Sequence, residues 1–379
     1  MMKKYLFSWG TAFLCLLVSG LLLLTSGKEK PEKIHDADGP YILYREDGSA
    51  RMVTVGLKGE LKDKTYKTLP SDFSFPVVSH KGNHRFQVTL HPFERPQWRM
   101  PQADSMLVIS DPHGNLDCFV SVLKNNGVIN DRYEWTFGKN QLVIIGDVFD
   151  RGKDVLPIFW LIYKLEKEAA DAGGQALFML GNHEEMVLRG DLRYVKEKYK
   201  ALADTLHMPY QDLWKEDSEL GRWLRTRNLI GIVGDNLIVH AGLSADFLER
   251  EEDIPAMNEE IGKYLSLDRK GRTEASPLSA FVYDTKTGPF WYRGMVYAAD
   301  RYQPVGREEV VRLLDKFGVS RVLVGHTIFD DVFTFHQRRI ISVNVDNKEN
   351  MEKGRGRGIL IVGKDIFVIY DRKQPQPLR

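Results

Sequence analysis

The chain has 379 residues, and its 43% hydrophobic and 28% charged content is that of a folded soluble body with room for one large domain or two ordinary ones. With 53 basic residues against 52 acidic, the formal charge is +1, so nucleic acid is not an implied partner. Composition excludes a disulfide scaffold as well, since Cys15 and Cys118 are the only cysteines.

The chain opens with Lys3 and Lys4, followed by an uncharged stretch from Tyr5 to Leu24 that ends in four leucines. Residues 1–27 read as a secretory signal or a membrane anchor. Thr25-Ser26-Gly27 supplies the small residues that cleavage needs, and about 20 apolar residues suffice to span a bilayer, so both readings stay open. Ala12-Phe13-Leu14 places no small residue directly before Cys15, which argues against lipid attachment there. Either reading puts the body outside the cytoplasm, periplasmic or membrane-anchored. Without residues 1–27 the balance becomes 51 basic against 52 acidic, about −1, and only Cys118 remains. Such an exported chain relies on its core, or on bound metal, for stability.

Residues 28–40 are charged and turn-rich and read as a tether. Tyr41 to Val55 has the pattern of a hairpin turning at Glu46-Asp47-Gly48-Ser49, and Phe86 to Leu90 adds a strand. Residues 41–100 form a small β-rich lead-in whose role is not readable. Pro92, Pro96 and Pro101 mark the connection into the main domain, residues 101–373.

In that domain one pattern recurs five times: a short apolar, β-branched run, then a polar residue able to bind metal, usually with glycine. The runs precede Asp111-Pro112-His113-Gly114-Asn115, Gly146-Asp147-Val148-Phe149-Asp150-Arg151-Gly152, Gly181-Asn182-His183-Glu184, His240-Ala241-Gly242 and Gly325-His326-Thr327. Continuous apolar runs suit strands covered on both faces. Helical spacing over Leu116–Asn125, Asp154–Ala172 and Arg307–Phe317 predicts an α/β arrangement with strands pointing the same way. Each polar cluster then lies at the carboxyl end of its strand, where such sheets bind ligands. Helical inserts near 185–227 and 244–290 roof or flank that cleft. The tail returns to β over Asp331–Phe335, Ile340–Val345, Ile359–Val362 and Ile366–Tyr370, and Gly354 to Gly358 reads as a strand connection rather than an RNA-binding segment.

The residue types point to a paired-cation site. Asp111 and His113 offer one hard oxygen and one imidazole, and Asp147 can bridge two ions because a carboxylate has about four lone-pair sites. Asn182, His240 and His326 supply an amide oxygen and two ring nitrogens on the other side. Mixed oxygen and nitrogen donors suit Mn, Fe or Zn better than Ca, and the lack of a thiolate disfavours a structural zinc site. His35, His80, His84, His91, His207 and His336 lack the strand-end context and read as surface or packing residues.

The ordered set DPHGN, GDVFDRG, GNHE, HAG and GHT resembles the phosphoprotein phosphatase family of the calcineurin-like metallophosphoesterases. HAGL at 240–243, with Trp291-Tyr292-Arg293-Gly294, is most similar to its bacterial, Shewanella-like branch. The resemblance spans Met106 to Tyr370 and implies a two-sheet β-sandwich core flanked by helices. It also implies a phosphomonoesterase in which a hydroxide held between two divalent metals, Mn first among candidates, attacks phosphorus in line. His183 would then be the general acid, Asp150 its orienting partner, and Arg151, Arg293 and Asn182 the groups that bind phosphate. From the residues alone, the alternative for Arg151 is a salt bridge with Asp150. Ser110 replaces a glycine common among relatives, Ile328 stands where the wider superfamily often has another metal-binding histidine, and the Ser-Ala-Pro-Asn-Tyr tail of the eukaryotic serine/threonine enzymes is absent. The expected substrate is a phosphorylated protein or small phosphate ester. A symmetrical diadenosine polyphosphate or other nucleotide hydrolase, and a non-catalytic metal-binding envelope protein, are the alternatives.

Overall fold

A computed structural model describes residues 36–379. The predicted leader and most of the tether lie outside the described residues. No helix among those described is long and apolar enough to cross a membrane.

Strands β1 (Asp38–Tyr44), β2 (Ala50–Val55) and β3 (Leu61–Tyr66) form an antiparallel meander, and β4 (Ser74–Val78) pairs with β5 (Arg85–Thr89). The β1–β2 hairpin and β5 lie where the pattern predicts them. The other two strands are unanticipated: β3 is Leu-Lys-Asp-Lys-Thr-Tyr on a sheet edge, and β4 contains Pro76. Neither carries the usual strand composition.

The remaining strands are β6 (Arg99–Met100), β7 (Ser105–Ser110), β8 (Gln141–Ile145), β9 (Gln175–Met179), β10 (Ile230–Val233) and β11 (Asn236–Val239). They continue with β12 (Arg321–Val324), β13 (Phe333–Phe335), β14 (Ile340–Ser342), β15 (Gly358–Val362), β16 (Asp365–Ile369) and β17 (Gln376–Pro377). Two six-stranded sheets result, ordered β17-β16-β15-β7-β8-β9 and β13-β14-β12-β11-β10-β6. The expected parallel pairing holds for β7–β8–β9 and for β11–β12–β14, while β10–β11 and the β15–β17 tail are antiparallel.

Alternation explains the sandwich. Met106, Val108, Val143 and Ile145 meet Val233, Ile238, Leu323 and Ile341 of the other sheet in one apolar cluster. Leu107, Ile109, Leu142 and Ile144 face the opposite way, into the larger core with helices α1 (Leu116–Asn125) and α2 (Val155–Asp171). Both faces are thus covered, which is why these strands read as unbroken apolar runs.

The first insert holds α3 (Asn182–Leu188), α4 (Glu197–Thr205), a 3-10 turn at Tyr210–Trp214 and α5 (Glu219–Arg225). The second holds α6 (Ala245–Leu248), α7 (Ile254–Tyr264), α8 (Arg269–Ala275) and α9 (Pro277–Val282). Then α10 (Arg307–Phe317) precedes β12, and α11 (Asn347–Lys353) precedes β15. Gly354 to Gly358 links α11 to β15, and Arg357 is buried there on Asp371 and on the Cys118 carbonyl (3.0 Å).

The lead-in strands share the core of the main body. Tyr41, Phe75, Val77 and Phe86 join the cluster that contains Phe159 and Trp160 of α2. Trp160 is fully buried, packs edge-on against Phe75 (4.8 Å between centroids) and donates its indole N–H to the Pro40 carbonyl (2.9 Å). Trp160→Ala should therefore cost about 3–5 kcal/mol of stability. Denaturant melts that show the lead-in and the body unfolding in one transition, shifted by that amount, would match a shared core; two transitions would contradict it.

Candidate active site

All five strand-end clusters converge at one end of the sandwich. Loops after β7, β8 and β9 bring Asp111, His113, Asp147 and Asn182 from one sheet, and those after β11 and β12 bring His240 and His326 from the other. Asp147 sits at the centre: its Oδ2 lies 3.3 Å from His240 Nε2, 3.8 Å from His113 Nε2 and 3.9 Å from His183 Nε2. Asp111 Oδ1 is 3.9 Å from His113 Nε2, and Asn182 Oδ1 is 3.0 Å from His240 Nε2. Two donor clusters share Asp147, one with His113 and His183 and one with His240 and His326, the donor atoms within each cluster lying within 4.8 Å of one another.

The local backbone explains this convergence. Asp111, His113, Asp147, Asp150, Arg151 and His326 all have left-handed backbones, with φ between 42° and 71°. Non-glycine residues pay for such angles with strain, and held this way the chain turns sharply off β7, β8 and β12. Gly146 has no such alternative: at φ 74° its absent Cβ would lie 2.6 Å from Gly181 Cα and 2.7 Å from His240 Nδ1. Between the two aspartates Val148 and Phe149 are fully buried, Phe149 against Trp214 (4.6 Å) and Phe159 (4.9 Å). That anchor turns Asp147 and Asp150 toward the site.

His183 and Asp150 form a second unit. His183 Nδ1 donates to Asp150 Oδ2 (2.5 Å), which leaves Nε2 directed at the centre. Arg151 is exposed with its guanidinium over the Tyr194 ring (5.2 Å), and makes no ion pair with Asp150 among the described contacts. Arg293 donates through Nη1 to the His326 carbonyl (3.2 Å) and Thr327 Oγ1 (3.0 Å), on the second sheet's side of the site. Every predicted site residue is thus within this one constellation.

Two residues were missed. Glu184, wholly buried, accepts hydrogen bonds from the backbone N–H groups of Gly181 (2.7 Å), Asp147 (2.9 Å), Val148 (2.8 Å) and Phe149 (3.2 Å), and so ties the β8 and β9 loops together. Its place three residues after the helix N-cap, Gly181, was the available signal. Asn347 clamps the β7 loop through the Ser110 (3.2 Å) and Asp111 (3.0 Å) carbonyls; the polar run Asn344-Val345-Asp346-Asn347 after β14 is a sixth strand-end cluster.

The electrostatics favour cations. Burial and the Asp147 charge push the Asp111 carboxyl up to about 7. Burial works against ionising Asp147 too, but the imidazoles of His240, His183 and His113 hold it well below the usual carboxylate range. Burial keeps His113 neutral, down to about 3, and with the Arg293 guanidinium holds His326 well below the normal histidine value. For His183 burial is outweighed by Asp147 and Asp150, and its pKa is raised.

The donor set fits a metal pair. His240 Nδ1–H must donate to the Ile145 carbonyl (2.9 Å), so in the neutral ring the Nε2 lone pair faces two oxygens, from Asn182 and Asp147. Only a proton or a cation reconciles that contact. His113 is set in the same way by the Phe149 carbonyl (2.8 Å), and the buried His326 Nε2 has no hydrogen-bond partner among the described residues. Imidazoles fixed by backbone carbonyls, beside carboxylates and an amide oxygen, are the donor chemistry of Mn, Fe or Zn.

A sandwich carrying such a cluster on its strand ends is a metallophosphoesterase. A profile of the calcineurin-like phosphoesterases matches residues 105–329, and the chain belongs to that family, as a metal-dependent phosphoric monoester hydrolase. It is 27% identical over 276 residues to Shewanella-like protein phosphatase 2 of Arabidopsis thaliana, 62% of this chain and 68% of that protein. With Shewanella-like protein phosphatase 1 of Plasmodium berghei it shares 25% identity over 236 residues, 59% and 60% of the two. Among solved structures it resembles the cold-active protein-tyrosine phosphatase of a psychrophilic Shewanella species, with a TM-score of 0.80 and 27% identity over 90% of this chain and 99% of that one.

Glu184→Ala would leave four buried N–H groups without an acceptor and should cost at least about 3 kcal/mol in metal-free protein, by urea titration. Glu184→Gln, which keeps one acceptor oxygen, should cost less; equal stability of all three proteins would remove Glu184 from this role.

Proposed function

We propose that the enzyme is a protein phosphatase working outside the cytoplasm. The observation that carries the catalytic assignment is the meeting of two donor clusters at Asp147, directly beside the His183–Asp150 pair. In this reading Asp111, His113, Asp147, Asn182, His240 and His326 hold two divalent cations; the oxygen and nitrogen donors suit Mn, Fe or Zn, and the family resemblance puts Mn first. When bound, such a pair supplies Lewis-acid polarisation of a phosphoryl oxygen and a water acidic enough to react near neutrality.

The chain's own side chains do the rest. Arg151 and Arg293 bind the phosphate oxygens, Arg151 from the exposed rim and Arg293 through the N–H groups left over from its Thr327 and His326 contacts. Asn182 adds its amide at the same centre. His183 carries a proton on Nε2 and delivers it to the leaving oxygen, while Asp150 holds Nδ1–H and stabilises the imidazolium. A protein substrate is supported by the protein-phosphatase names of the relatives in Arabidopsis and Plasmodium and of the Shewanella structure, similar over nearly its full length. The extracytoplasmic location rests on the lysine-flanked apolar leader.

His183→Asn should lower kcat by about 10²- to 10⁴-fold with little change in KM. The loss should be larger for phenyl phosphate than for p-nitrophenyl phosphate, because the better leaving group needs less protonation; equal losses would exclude His183 as the acid. Stripping metal with a chelator should abolish turnover and Mn should restore it. Asp147→Asn should neither retain metal, by elemental analysis, nor recover on re-addition; a fully active Asp147→Asn enzyme would overturn the assignment.

A further inference from the structure

Beside the catalytic centre the two helical inserts enclose a second cavity of about 340 Å³. Five arginines line it: Arg189, Arg193, Arg269, Arg272 and Arg301. Its two acids, Glu185 and Asp284, are already engaged. Glu185 pairs with Arg189 (2.9 Å) and Arg272 (3.1 Å), and Asp284 accepts from the Lys286 and Thr287 backbone N–H groups (2.8 and 2.9 Å). Arg193 is paired with Asp191 (2.6 Å). Arg269 and Arg301 have no carboxylate partner among the described residues, and both are exposed. Trp291 also lines the cavity.

Two aromatic rings join this cavity to the catalytic centre. Tyr194 lies 5.5 Å from the His183 ring and under the Arg151 guanidinium (5.2 Å), while its other neighbour is Arg193 (5.9 Å). Trp291 packs edge-on against His326 (5.9 Å). A peptide whose phosphorylated side chain reached the metal cluster would therefore run its flanking residues over Tyr194 and Trp291, into a cavity with two uncompensated cations.

We propose that this cavity is an anion subsite that takes a carboxylate, or a second phosphate, on a residue flanking the phosphorylated one. The proposal rests on the protein-phosphatase reading above and adds the substrate class to it: phosphopeptides with an acidic flank. Planar guanidinium groups suit either anion.

The test compares the full-length enzyme with Arg269→Ala/Arg301→Ala and Arg269→Glu/Arg301→Glu, both altered only at exposed positions. Substrates are p-nitrophenyl phosphate and one phosphopeptide made with neutral, Asp/Glu and second-phosphate flanks. The wild type should favour an anionic flank by about ten-fold in kcat/KM, the size expected of two partly exposed ion pairs. High salt and the alanine pair should close that gap, the glutamate pair should invert it, and p-nitrophenyl phosphate turnover should not change. Which anionic peptide gains more decides between carboxylate and phosphate. Equal wild-type turnover of all three peptides, or an equal loss on every substrate in the variants, would overturn the subsite and leave the phosphatase standing. Turnover of p-nitrophenyl phosphate with none of any peptide would overturn the protein-phosphatase reading, and the subsite with it.

Discussion

The Asp147 carboxylate is 1% exposed at the end of a fully buried strand, and the rest of the site is arranged around the cost of placing a charge there. Three imidazoles face its Oδ2 within 3.9 Å, and its Oδ1 accepts the His183 backbone N–H (2.9 Å). Asp111 lies in the same apolar surroundings, and burial together with the Asp147 charge raises it to about 7. Two carboxylates that resist ionising together, beside the His113 and His240 imidazoles whose Nδ1–H groups are fixed on backbone carbonyls, form a cluster that positive charge completes. Cation affinity and the folded arrangement of the loops are therefore linked, because a bound cation answers the repulsion between donors that the loops hold close.

The loops withstand this because they brace one another. The left-handed residues are locked across strands: Asp111 N–H donates to the Gly146 carbonyl (3.2 Å), and His113 N–H to the Asp147 carbonyl (2.9 Å). Glu184 gathers the β8 and β9 loops, and Asn347 reaches from α11 to hold the β7 loop. Backbone strain of about 1–3 kcal/mol at each such residue persists only where the surroundings over-determine it. Here they do so through backbone hydrogen bonds, and the side chains are left free for chemistry.

That division decides what the sequence could reveal. The clusters DPHGN, GDVFDRG, GNHE, HAG and GHT were legible because each pairs a chemically distinctive side chain with an apolar run, and α1 and α10 were legible to the residue because their apolar spacing is regular. Glu184 and Asn347 were not, since their partners are backbone groups that every sequence has and none displays. Local pattern also failed at β3, a polar edge strand, at β4 with its proline, and at α11, whose Asn-Lys-Glu-Asn-Met-Glu-Lys has no apolar stripe. Periodicity predicted parallel strands without assigning them to sheets. The family resemblance implied two sheets, but only the structure places His240 and His326 on the second, facing the first across Val143, Ile145, Ile238 and Leu323.

The same contrast separates chemistry from selection. The reacting centre is made almost entirely from strand ends, whose positions are fixed by a core packed on both faces. Its rim is made from other parts of the chain. Tyr194 comes from the first insert, Trp291 from the segment after the second, and Lys81 from the β4–β5 turn, whose neighbour His80 is fastened to Asp154 at the start of α2 (2.6 and 2.7 Å). Ile328, 56% exposed, adds an apolar patch to the same groove. The buried strand-end groups hold one geometry, whereas exposed Tyr194 and Lys81 and half-buried Trp291 stand on three separate segments. Substitutions along the rim can therefore alter which ester is accepted without disturbing Asp147, whose contacts lie wholly within the strand-end loops.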